Sequence, residues 1–208
     1  MNILHLDSSI LGDASASRVL SAGIVAALLD TAPDATVIRR DLAADPIPHL
    51  DGAIAAGFRP LGFGNPDAAT LAEHARSETL VSELLASDVI VIGAPMYNFS
   101  LPTQLKAWID RVAQPGRTFK YTATGPVGLA GGKTVIVAST RGGMYSAGPA
   151  TTMDYQEDYL KAVFGFLGIT DIRFVRAEQL SRGADVRSQA MEAARAAVSG
   201  VVNVAAAA

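Results

Sequence analysis

Val89-Ile90-Val91-Ile92-Gly93-Ala94-Pro95-Met96-Tyr97-Asn98-Phe99-Ser100 is the stretch that decides the fold. Its first four residues are β-branched and apolar without alternation, as in a strand covered on both faces, and the run stops at a glycine and a proline. Ile3–Leu6, Thr134–Ala138 and Ile172–Val175 repeat the pattern, and Thr36–Arg39 is a weaker version suited to a sheet edge. Helical stretches lie between them. Ser17 is expected to cap a helix running to about Asp30, with Val19, Leu20, Val25, Leu28 and Leu29 as its apolar stripe. Ala68 to Ala86 reads as a second helix, and Pro102 suits the first turn of a third that ends at Val112. Tyr155 to Leu167 and Val186 to Val198 complete the set. Strand and helix alternate throughout, which predicts an α/β domain: a five-stranded parallel sheet of order 2-1-3-4-5, helices on both faces, and right-handed crossovers.

Two intervals are longer than connections usually are. Asp45 to Asp67 holds four prolines and four glycines, and Gln114 to Gly132 lacks a helical pattern. Such loops in a compact domain are functional or mobile. With no internal repeat and no low-complexity linker, residues 1–208 are read as one domain with a sizeable core. Half the residues are hydrophobic and the net charge is −3, so disorder is not expected; no basic stripe tracks a phosphate backbone, so neither is nucleic acid. The absence of cysteine excludes disulfides, thiolate metal sites and a cysteine nucleophile, and fits a reducing cytoplasm. Met1 runs straight into a strand, so no signal peptide is expected. Ala196 to Ala208 is uncharged but shorter than the roughly 20 residues of a membrane span, and reads as an Ala-rich helix end fraying after Gly200.

Ligands of an open parallel sheet bind beyond the carboxyl ends of the strands, where strand order reverses. That singles out the loops after Leu6, Ile92 and Ala138. Ser8 to Ser17 places several hydroxyls before a helix N-terminus, a natural phosphate site, although Ser15 and Ser17 could be simple turn and capping residues. Pro95-Met96-Tyr97-Asn98-Phe99 combines aromatics with one amide and suits a flat heteroaromatic ring; the alternative is that Tyr97 and Phe99 fill core. Thr140-Arg141-Gly142-Gly143 offers paired glycines for close backbone approach and positive φ, or a plain turn. His5, His49 and His74 lack the spacing of a metal or acid–base site, and His5 is expected to face the core or a helix. Gly62-Phe63-Gly64-Asn65-Pro66-Asp67 follows no strand and is rejected as a dinucleotide fingerprint.

Ser9, Ser15-Ala16-Ser17, Pro95 to Phe99 and Thr140-Arg141-Gly142-Gly143 resemble the flavin-contacting motifs of the FMN-dependent NADH-azoreductases and NAD(P)H:quinone oxidoreductases. The resemblance spans nearly the whole chain, including Arg39 to Ala43, Asp45 to Pro48, Gln104 to Lys106 and Thr118 to Thr122. Ala16 departs from the Gln that the family often has, Thr140 from Ser, and Tyr145 stands where some members have His.

What the resemblance implies is a flavodoxin-like fold, FMN as cofactor, NADH or NADPH as donor, and quinones or aromatic azo compounds as acceptors. It implies ping-pong chemistry on one face of the ring, once for a quinone and twice for the four electrons of azo cleavage. No side chain is assigned a catalytic role, since hydride transfer belongs to the cofactor. It also places Arg59 near the substrate entrance, a solvated loop charge being the alternative, and Phe119, Tyr121 and Tyr145 around the substrate pocket. Phe119 and Tyr121 would come from the second subunit of a homodimer. Trp108, on an apolar helix with Leu105, Ile109 and Val112, is the expected interface anchor, a core role being the alternative. A flavodoxin-type carrier of single electrons is the rival on the same fold, and the two long loops speak against it. A phospho-receiver domain needs an acidic residue at the end of the third strand, where Gly93-Ala94-Pro95 stands.

Overall fold

The computed structural model describes residues 1–59 and 65–205. In chain order the elements are β1 (Asn2–Asp7), α1 (Ala16–Thr31), β2 (Thr36–Asp41), α2 (Gly52–Ala56), α3 (Ala68–Ala86), β3 (Val89–Pro95), α4 (Thr103–Val112), β4 (Phe119–Thr122), β5 (Gly125–Gly128), β6 (Thr134–Thr140), α5 (Glu157–Phe166), β7 (Asp171–Ala177) and α6 (Ala184–Ala205). Five strands form a parallel sheet of order β2-β1-β3-β6-β7, which is the expected 2-1-3-4-5 counted among parallel strands alone. The fold is flavodoxin-like.

Every residue of β3 and β6 is buried, as their unbroken apolar runs require, while no residue of β2 at the edge is buried. On one face α3, α4 and α5 pack Leu80, Leu84, Trp108 and Phe164 against the sheet; on the other α1 and α6 pack Leu20, Ile24, Met191 and Val198. Register aligns the carboxyl ends: Asp7 pairs with Gly93, Pro95 with Thr140, and Thr140 with Ala177. The loops that leave β1, β3, β6 and β7 therefore start at nearly one level.

Several expectations change. Ser15, not Ser17, caps α1: its Oγ accepts from the Arg18 N–H at 3.2 Å. Val19 is exposed and Leu29 only half-buried, so the stripe of α1 is Leu20, Ile24, Val25 and Leu28. The interval Gln114 to Gly132 is no plain loop, for β4 and β5 make an antiparallel hairpin there. A side chain at Gly128 would meet the Gly168 backbone at 2.1 Å, so the glycine lets the hairpin lie against the end of α5. Within Asp45 to Asp67, Asp51 caps the short α2. Gly62–Gly64 lie outside the described residues. Helix α6 continues past Gly200 to Ala205, beyond the expected fraying point. Trp108 is fully buried within its own chain, as are Leu105, Ile109 and Val112, so α4 offers no apolar anchor to a partner. No helix among the described residues is long and apolar enough to cross a membrane.

Candidate functional site: a groove at the carboxyl edge of the sheet

The loop after β1 is drawn inward by hydroxyls. Ser8 Oγ donates to the Gly93 carbonyl at 2.7 Å, and Ser9 Oγ meets the Tyr97 hydroxyl at 3.2 Å. Tyr97 also accepts from the Ile10 N–H, so the first and third strand loops are tied together by one phenol. The Ser15 and Ser17 hydroxyls, both buried, meet at 3.0 Å. Ala16 and Ser17 open α1, and their N–H groups have no protein acceptor among the described residues.

The loop after β3 is a two-residue reversal. Tyr97 and Ser100 exchange both backbone hydrogen bonds, at 2.9 and 3.1 Å, while Asn98 and Phe99 sit at φ 48° and 72°. Positive φ at both central residues is the mark of a type I′ turn, and for Phe it is a strained choice. The turn is built on a fixed base, since the fully buried Gln156 donates Nε2 to the Ala94 and Pro95 carbonyls at 3.3 and 3.0 Å. The Asn98 and Phe99 N–H groups, like those of Gly142 and Gly143 in the loop after β6, have no protein acceptor among the described residues.

Arg141 behaves differently from its neighbours. Its side chain is fully buried, where it pairs with Asp154 at 2.8 Å, with Glu178 at 3.3 Å and with Glu157, and donates Nε to Ser139 Oγ at 3.1 Å. The guanidinium holds the loop rather than facing a ligand. Glu178 completes the clamp by accepting the N–H of Tyr145 at 2.7 Å and of Ser146 at 2.9 Å. Burial pushes Glu178 up, but the Ser146 hydroxyl, these N–H groups and the Arg141 charge together hold it below its ordinary value. The backbone after β7 braces the same loop: Leu180 N donates to Arg141 O, Ser181 N to Gly142 O and Gln179 N to Gly143 O. Neither Gly142 nor Gly143 has positive φ; a Cβ at 142 would lie 2.7 Å from Ser181 Oγ, the end of an exposed side chain that would have to shift.

These loops enclose a groove of about 200 Å³ lined by Ser9, Ser15, Ala16, Pro95, Met96, Tyr97, Thr140, Arg141 and Gly142 from the expected set. Leu180, Ser181 and Arg187 also line it, and nothing in their local sequence marks them. Ser17, Asn98, Phe99 and Gly143 of the expected set do not line it. Backbone donors in three places and hydroxyls at a helix N-terminus fit a phosphate joined to a flat ring with carbonyl and ring-nitrogen acceptors, and so fit FMN. A larger hollow of about 640 Å³ at the amino edge is a weaker candidate. There Lys133 already donates to the Leu85 and Ser87 carbonyls, and Asp171 pairs with Arg173.

The expected substrate residues fare unevenly. Tyr145 is half-buried and stands edge-on to Phe99, ring centres 6.2 Å apart, so these two do come together. Phe119 is buried in the core of its own chain, its ring centre 4.5 Å from that of Phe166. Tyr121 is 74% exposed on the hairpin. Arg59 is exposed with its guanidinium over the Phe58 ring, and it is not among the residues that line the groove.

Beneath the groove Asp7 ends β1 in a buried polar cluster. Ser21 Oγ donates to it at 2.9 Å, Arg39 Nη2 at 2.8 Å, and His5 Nε2 lies 2.9 Å from Ser21 Oγ, against α1 as expected. Ser21 is fully buried and donates to Asp7, so this is no nucleophilic triad. Burial pushes Asp7 up, but hydrogen bonds from His5 and Arg39 prevail and hold it at about 2, below the ordinary 3.8. A depressed carboxyl stabilises the fold above its unfolded value and loses that contribution as pH falls through the folded one. Asp7→Asn is therefore expected to cost about 2 kcal/mol at pH 7, with the gap to the parent closing between about pH 4 and pH 2. Denaturant titrations of both proteins across that window check it, and a gap independent of pH refutes it.

Residues 1–201 match the model of a family described as having a flavodoxin-like fold. The chain is 75% identical over 203 residues to an FMN-dependent NADH:quinone oxidoreductase of Ralstonia nicotianae, covering 98% of each chain. It is 63% identical over 202 residues to FMN-dependent NADH:quinone oxidoreductase 2 of Xanthomonas axonopodis pv. citri, covering 97% of this chain and 94% of that one. Among solved structures it is similar to an FMN-dependent NADH-azoreductase from Bacillus anthracis in complex with FMN, with TM-score 0.88, 25% identity and 98% of each chain covered.

Proposed function

The chain belongs to the flavodoxin-like fold family, among its FMN-dependent NADH:quinone oxidoreductases, and from that footing we propose that it binds FMN in the carboxyl-edge groove and passes electrons from NADH to quinones and aromatic azo compounds. The observation that carries this reading is that the loops after β1, β3 and β6 line one groove, with Ala16 and Gly142, whose N–H groups have no protein acceptor among the described residues, on its wall. Ala16 and Ser17 N–H, with the Ser15 and Ser17 hydroxyls, hold the phosphate. The backbone from Pro95 to Phe99 and at Thr140, Gly142 and Gly143 binds the polar edge of the ring, and Tyr97 fixes the spacing between the two ends. Arg141 keeps the third loop in place.

FMN supplies the hydride chemistry when bound, and the protein supplies position and exclusion of water. Donor and acceptor use the one open side in turn, a ping-pong sequence, with NADH the principal donor and NADPH the alternative. The Phe99–Tyr145 pair, with exposed Tyr155 hydrogen-bonded through its N–H to the Phe99 carbonyl, offers aromatic surface for flat acceptors.

A groove this small covers part of such a ligand and leaves the rest open, against the roughly 300–1,000 Å³ of enclosed ligand sites. Ile10, Leu11, Phe99, Met144 and Tyr155 are exposed apolar residues on the loops around it. A homodimer that covers this rim completes the site, with Tyr121 the hairpin residue free to reach across. A cytoplasmic location accords with the lack of cysteine.

The test is reduction by NADH alone. Stopped-flow mixing of the FMN-loaded protein with NADH is expected to bleach the flavin band without any protein partner. Steady-state rates with a benzoquinone are expected to give parallel double-reciprocal lines. No bleaching would favour the carrier reading, and intersecting lines would require a ternary complex and a second site.

A further inference from the structure

We propose that Arg187 clamps the phosphate of the cofactor and sets the preference for FMN over its phosphate-free parent, riboflavin. The proposal rests on the reading of the groove as the FMN site.

Helices α1 and α6 pack on the same face of the sheet, and each follows a parallel strand, so both N-termini point to the carboxyl edge. Arg187, in the first turn of α6, thereby lines the same groove as Ser15 and Ala16. The groups that α1 itself offers are neutral. Ala16 has no polar side chain, Ser15 Oγ is already engaged by the Arg18 N–H and by Ser17, and only N–H groups and hydroxyls remain to meet a dianion. Arg18 is committed to Asp41, Arg39 to Asp7, Arg141 to Asp154 and Arg176 to Glu157, and Arg182, next to Ser181, does not line the groove. The Arg187 guanidinium has no carboxylate or hydrogen-bond partner among the described residues, and no acidic residue of α1 or α6 lines the groove. An unpaired planar cation beside a helix N-terminus with open N–H donors selects a phosphate, which accepts from both.

Flavin fluorescence quenching, with apo-protein titrated against FMN and against riboflavin, decides the matter. Arg187→Ala is expected to raise the FMN Kd about tenfold and leave the riboflavin Kd unchanged, as the loss of one charge-assisted contact should. Arg187→Lys should retain part of the preference, and added salt should narrow the gap between parent and variant. Arg187 is exposed, so the alanine variant should keep the parent's thermal stability. An unchanged FMN Kd, with or without a raised KM for NADH, would overturn the proposal, as would equal weakening of both flavins. A parent protein that binds both flavins alike would instead sink the phosphate assignment at α1, a failure distinguishable from that of Arg187.

Discussion

Replacing Arg141 by Met is expected to destabilise the protein by about 3–5 kcal/mol, because it strips the cation from a buried cluster and leaves its carboxylates behind. The guanidinium is fully buried and faces Asp154, Glu157 and Glu178. Once it is gone, the cations that remain beside the cluster are engaged already, Arg176 with both of its hydrogen bonds on Glu157 and Lys161 on Asp158. Against a total stability of about 5–15 kcal/mol this is a large fraction, equivalent to a fall of about 10 °C in Tm for a chain of this size. The sign of the pH dependence follows from Glu178. Its depressed titration stabilises the fold above the ordinary carboxylate range, and that contribution fades as pH falls through the range. Part of it comes from Arg141, so the deficit of the variant should be greatest near neutrality and shrink towards pH 4. Thermal scans at several pH values test this, and a loss below about 1 kcal/mol at pH 7 would mean that water reaches the cluster.

How far the sequence foretold this molecule depends on where each signal lies. Strands β3 and β6 are buried along their whole length, so their apolar runs were legible, and α3 occupies the expected Ala68 to Ala86 because Asp67 marks its start. The β4–β5 hairpin was not legible: Gly125, Pro126 and Gly128 break any alternating pattern, and the hairpin depends on contact with the end of α5. Periodicity could place Trp108 on an apolar helix face but could not say whether the sheet or a second chain would cover it. The sheet covers it.

The site divides in the same way. Ser9, Ser15 to Ser17, Pro95 to Phe99 and Thr140 to Gly143 sit in the loops that the strand order singled out, and most of them line one groove. Phe119 is buried in the core of its own chain, and Arg141, which lines the groove, has its guanidinium paired with three carboxylates. Glu178, Ser181 and Arg187 carry no local motif. They matter because β7 lies beside β6, which brings residues far apart in sequence, such as Tyr145 and Glu178 or Gly142 and Ser181, into hydrogen-bonding distance.

That adjacency sharpens what Gly142→Val should do. The side chain is excluded not by its backbone conformation, since φ is ordinary there, but by Ser181, whose Oγ would lie 2.7 Å from the new Cβ. Gly142 O is also the acceptor for Ser181 N at 3.2 Å, so the clash and the bond act on one pair of residues. Ser181 is exposed and has room to yield, so folding should survive with a loss of about 1–2 kcal/mol. The ligand has less latitude, because a shift of the loop carries the Gly142 and Gly143 N–H groups away together and the added methyls intrude on the groove. Affinity for FMN is therefore expected to fall about a hundredfold, close to 3 kcal/mol, and riboflavin affinity to fall equally, since the ring end of the site is the part disturbed. A double replacement, Gly142→Ala with Ser181→Gly, removes the clash while keeping a Cβ at 142, and should recover most of the binding that Gly142→Ala alone loses. Paired measurements of FMN Kd and apo-protein Tm on these variants separate the two causes. If the double variant binds no better than the single one, the side chain obstructs the ligand directly and Ser181 is not what excludes it.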